Sequence, residues 1–131
     1  HWRAREALVI ALAGQGKWPE TEPHRQFFRE RRGKVPAIKD SITIAFVVRP
    51  ENAVAVREAL APDAPWIYRF DFHRPDTAAQ EADVEKPIRI MELRRFEGRV
   101  ALGETGPDGR FAETRSWTEV PAPETLLQEV R

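Results

Sequence analysis

The sequence predicts an α+β domain with a single mixed β-sheet of about five strands: one β-α-β unit followed by an antiparallel meander, with helices packed mainly on one face. Three observations predict it. Two amphipathic, helix-forming segments come first. An apolar, β-branched run, "SITIAFVVR" at 41–49, follows them. The second half then alternates strand-like stretches with Gly-containing turns.

The elements follow in order. Residues 2 to about 13, "WRAREALVIALA", combine strong helix formers with an apolar stripe, and Gly14 and Gly16 stop the helix. "KWPETEP" reads as a connector. Thr21 is placed to cap a second helix with Pro23 in its first turn, where a missing N–H is harmless. That helix runs through "HRQFFRERR" and ends at Gly33, with Phe28 on a narrow apolar face and arginines around the rest. Residues 41–49 read as a central strand covered on both faces. Pro50 then opens a helix through "ENAVAVREALA", and a strand at 65–74 follows in parallel pairing with the first. Residues 76–86 are polar and acidic and read as a loop or a frayed helical turn. Three strands come next, in "PIRIMELRRF", "RVALGET" and "RFAETRSWTEV", joined by turns at Glu97-Gly98 and "GPDG". A short helix near "ETLLQEV" closes the chain.

The chain, residues 1–131, is long enough for one domain with its own core, burying roughly two-thirds of its unfolded surface. Its composition is that of a soluble globular domain: 41% hydrophobic, 32% charged, with four Trp and seven Phe. It starts with His1 and is expected to be a fragment or subunit of something larger. Basic and acidic residues balance at 21 each, which argues against a dedicated duplex-DNA binder. There is no Cys, so disulfides, thiolate catalysis and Cys-type zinc sites are excluded. No apolar run reaches a membrane span, so no membrane insertion is expected. "ALVIALAG" lacks the layout of a signal peptide. The compartment is open, with the cytoplasm slightly favoured.

The chemically richest stretch is "IYRFDFHRPD", 67–76. Strand alternation puts Trp66, Tyr68, Phe70 and Phe72 on a core face and Ile67, Arg69, Asp71 and His73 on the other. The favoured reading of that second face is a partly wet surface laced with ion pairs. Partners come from neighbouring strands, where Glu92 and Arg94, and Glu113 and Arg115, are expected to share faces. Three functional readings compete with it. Asp71 could orient His73 as a general base, making these two the candidate catalytic residues; no nucleophile accompanies them, since the only serines are Ser41 and Ser116. A D-x-H metal pair lacks further ligands, so no metal and no cofactor are expected. A third reading makes the face an RNA or single-strand platform built from Arg69, Arg74, Arg89, Arg94, Arg95, Arg99 and Arg115, with Tyr68 or Phe96 for stacking.

The function expected from these features is a non-enzymatic protein-interaction domain, or a small accessory subunit of a larger assembly, with a protein partner. Its contact surfaces are expected at the sheet's polar face, through Arg69, Asp71, His73, Arg94 and Arg115, and at the basic helix, through Arg25, Arg29 and Arg32. The alternatives are a nucleic-acid-binding domain using the same arginines, and a small-molecule binder or enzyme with Asp71 and His73 in a pocket.

Overall fold

A computed structural model describes residues 1–49, 51–74 and 86–130. Helix α1 spans Trp2–Gly14, and the His1 ring accepts a hydrogen bond from the Arg3 N–H at 3.2 Å as its N-terminal cap. Val9 and Ala13, one turn apart, are its buried stripe. Gly16 takes a positive φ of 76° and ends the turn that follows.

Helix α2 spans Trp18–Arg31, beginning one turn before the start expected at Thr21. Pro19 sits in the first turn, where its missing N–H costs nothing, and Pro23 falls inside the helix rather than at its start. Thr21 is therefore not a cap: its hydroxyl donates to the Trp18 carbonyl at 2.6 Å. Trp18, Thr21, Arg25 and Phe28 are the buried residues, and their spacing traces one stripe along the helix.

Six strands follow among the described residues: β1 (Ser41–Val48), β2 (Ala53–Ala59), β3 (Tyr68–His73), β4 (Arg89–Phe96), β5 (Arg99–Thr105) and β6 (Phe111–Trp117). Their order in the sheet is β1-β2-β3-β4-β5-β6, and every neighbouring pair is antiparallel. The α+β class with one sheet holds. The sheet has six strands rather than about five, it is antiparallel rather than mixed, and no β-α-β unit occurs among the described residues.

The error lies in "ENAVAVREALA". Ala and Glu give it helical propensity, but "AVAVREA" is strand β2. Its alternation is the stronger signal: Val54 and Val56 are fully buried with the core, while Ala53 and Ala55 face the other way. With β2 a strand, β1 and β2 form a hairpin, closed by Arg49 N–H donating to the Asn52 carbonyl at 2.8 Å, and no crossover is needed. Strand β1 also moves from the expected centre to the edge of the sheet, with a bulge between Thr43 and Ala45. Pro50, the expected helix opener, and residues 76–85 of the expected acidic loop lie outside the described residues.

The meander of the second half is as expected. Gly98 and Gly109 supply the positive φ of its two turns, 72° and 80°. Helix α3 (Pro123–Glu129) closes the chain. One core joins helices and sheet: Val9, Phe28 and Leu126 from the helices meet Ile42, Val56, Phe70, Leu93 and Leu102 from the strands. Hence the three described helices share one face of the sheet. Arg49 ties the far end of β1 to α3 by donating to the Leu127 carbonyl at 3.2 Å.

Candidate functional site

On the face away from the described helices, the register aligns a polar row: Arg57, Arg69, Glu92, Gly103 and Glu113 lie in turn across β2 to β6. Arg57 and Arg69 sit directly opposite each other, an arrangement that repels unless a counter-charge intervenes. Asp71 provides it. Its two oxygens accept from Arg57 Nε at 3.0 Å and Arg69 Nε at 2.6 Å. Glu92 similarly accepts from Arg94 at 2.6 Å and from the Thr105 hydroxyl at 2.6 Å.

The face is thus laced with ion pairs, as alternation predicts, but it is drier than expected at its centre. Asp71, His73 and Glu92 are all buried. Asp71 spends its oxygens on arginines, and no hydrogen bond joins it to His73 among the described residues; both ring nitrogens of His73 are buried without a hydrogen-bond partner. The geometry of an oriented general base is therefore not formed here. Among the described residues, no group of three or more His, Asp or Glu side chains is placed to hold a metal ion.

The expected pairing of Glu113 with Arg115 on one face fails, because an irregularity in the β5–β6 register separates them. Glu113 bonds Arg99 at 2.8 Å, whereas Arg115 turns to the helix side and pairs with Glu129 of α3. The arginines proposed as one platform therefore divide. Arg69, Arg94 and Arg99 share the far face, while Arg89, Arg95 and Arg115 alternate onto the helix side.

The basic helix behaves differently again. Arg25 is buried, and its guanidinium donates to Glu58 at 2.7 Å and to the Tyr68 hydroxyl at 3.1 Å. Arg29 reaches the other Glu58 oxygen and also Glu22 at 2.7 Å, and Thr21 accepts from Arg25 Nε at 3.0 Å. Arg32 stands apart and pairs with Asp40 at 2.9 Å. The eight expected contact residues thus occupy several separate surfaces. Among them, only Arg69 with Asp71, and Arg25 with Arg29 through Glu58, are brought together.

The Arg25–Glu58–Tyr68 network is the densest buried polar cluster described, and the sequence reading missed its centre. Glu58 falls in "ENAVAVREALA", the segment whose composition predicts a helix. The period-two run "AVAVRE" carries the missing signal, since it puts Glu58 on the face of Val54 and Val56. Burial first, and then the nearby Glu58 carboxylate, push the Tyr68 hydroxyl above its ordinary value of 10.0, against the opposing pull of Arg25. Burial disfavours the ionised Glu22, but Arg29 and Arg25 outweigh it and hold that carboxyl below 4.5.

Because the tyrosine value rises on folding, the stabilising contribution of neutral Tyr68 is complete below pH 10.0 and is lost as pH climbs through the higher folded value. Tyr68 is the chain's single tyrosine, so tyrosinate absorbance reports on it alone. The folded protein should titrate above 10.0 and the urea-unfolded chain near the ordinary value. A folded midpoint at or below that of the unfolded chain would contradict the network.

Beside this network lies an open cavity of about 460 Å³ between the β2–β3 connection, α2 and β4, lined by Arg29, Glu58, Trp66, Tyr68, Arg95 and Val120 among others. Searches against protein-family models, curated proteins and solved structures return no match to the chain. No described helix is long and apolar enough to cross a membrane.

Proposed function

We propose that the chain is a non-enzymatic protein-interaction domain, acting as an accessory subunit of a larger assembly, and that β1 is the strand its partner joins. One observation carries this reading: β1 is an apolar strand at the edge of the sheet. Among the described residues it has a strand neighbour on one side only, and none of its residues, Ser41–Val48, is charged. On the face away from the described helices it exposes Phe46 at 39% and Val48 at 69%.

Edge strands of monomeric proteins are commonly guarded by charge, because their outward N–H and C=O groups invite another strand. The opposite edge shows this guard: β6 carries Glu113 and Arg115. Strand β1 does not, although its bulge shortens the regular stretch available. An extended partner segment would gain main-chain hydrogen bonds along β1 and apolar contact at Phe46 and Val48.

Affinity capture of the tagged chain from its native source tests the reading. A stoichiometric protein partner should survive both nuclease and high salt. Loss of every partner with nuclease would move the function to the nucleic-acid reading, in which affinity falls steeply with added salt.

A further inference from the structure

The cavity beside the Arg25–Glu58–Tyr68 network has the make-up of a ligand site. Its volume of about 460 Å³ falls within the range of small-molecule pockets. Two of its lining side chains stand out by what they lack. Arg95 is exposed, and it is the one described arginine whose side chain makes no hydrogen bond, ion pair or ring contact among the described residues. Trp66 is half-buried, and its indole neither donates a hydrogen bond nor meets another ring or a cation among the described residues. By contrast Trp2 and Trp117 each lie under an arginine.

The charge balance of the cavity is also informative. The one carboxylate on its wall, Glu58, is taken up by Arg25 and Arg29. Among the described residues, the wall therefore carries no free negative charge to serve Arg95. Pro62, Ile67 and Val120 supply apolar surface. An unpaired guanidinium beside an unpaired indole suits an anionic group attached to a flat apolar body, because the guanidinium offers parallel N–H donors to a carboxylate and the indole offers a stacking face.

We propose that this cavity binds a small aromatic carboxylate, with Arg95 holding the carboxylate and Trp66 packing on the ring. This does not rest on the docking role of β1. Titration calorimetry with 2-naphthoate tests it, with 2-naphthamide as the uncharged counterpart. The wild-type chain should bind naphthoate saturably at one site, quench tryptophan fluorescence in a way that Trp66→Phe abolishes, and bind the amide more weakly. Arg95→Gln, at an exposed position, should leave thermal stability unchanged and weaken naphthoate about tenfold or more, as loss of one charge-assisted contact does. Arg99→Gln, on the other face of the sheet, should leave naphthoate affinity unchanged. Absence of saturable naphthoate binding, equal affinity for the amide, or binding indifferent to Arg95→Gln overturns the proposal.

Discussion

Replacing Glu58 with Ala should destabilise the protein by about 3–5 kcal/mol, the usual loss when one partner of a buried ion pair is removed and the other charge stays buried. The size follows from burial. Glu58 and Arg25 are 3% and 8% exposed, and Arg25 reaches the sheet from the middle of α2. Without the carboxylate, the Arg25 guanidinium keeps the Tyr68 and Thr21 oxygens and the half-exposed Glu22. It loses its buried counter-charge. Glu22→Ala is the matched control: Glu22 contacts the same two arginines at 2.7 Å each but is half-exposed, so its removal should cost about 0–1 kcal/mol. Equilibrium urea unfolding separates the two. Equal, small effects would mean that the network is solvated and that the helix is held by apolar contacts alone.

Gly103→Val should be the second severe substitution, for a steric reason. A Cβ added to Gly103 would lie 2.3 Å from the Ala112 carbonyl oxygen and 2.8 Å from the Phe111 ring. The first is backbone of the neighbouring strand and has no rotamer to escape into. The β5–β6 pairing must open, at a cost of about 1–3 kcal/mol or more. The Phe111 ring, which packs over Gly103 and meets Phe96 at 5.9 Å and Arg94 at 4.6 Å, would be displaced with it. Hydrogen exchange should show the amides of β6 losing protection while those of β2 and β3 keep theirs. Uniform loss across the sheet would indicate global destabilisation instead.

Much of the architecture can be read from local signals. The turns at Gly98 and Gly109, the buried faces of β3 and β4, and the three described helices follow from turn chemistry and periodicity. The first crossover does not, because "AVAVREA" carries helical propensity and strand alternation together, and the pairing of Val54 and Val56 with the core decides between them. That single segment hid the site as well. With β2 read as a helix, Glu58 has no reason to face Tyr68, and Arg25 reads as a solvated cation. The burial of Asp71 and His73 was hidden for a different reason. Strand periodicity gives the face a side chain points to, but not how deeply that face is covered. The edge position of β1 was illegible because a continuous apolar run fits a central strand, and strand order is a property of the whole sheet.

The docking role of β1 is tested most directly by partner capture with Phe46→Lys and Val48→Lys chains beside the wild type. Val48 is 69% exposed, so Val48→Lys should unfold within about 0.5 kcal/mol of the wild type, whereas Phe46→Lys, at a position 39% exposed, should lose about 1–2 kcal/mol; in both, charge on the edge strand should abolish capture of the salt-resistant partner. Undiminished capture by stably folded variants would contradict the role of β1 and place the interaction elsewhere on the molecule.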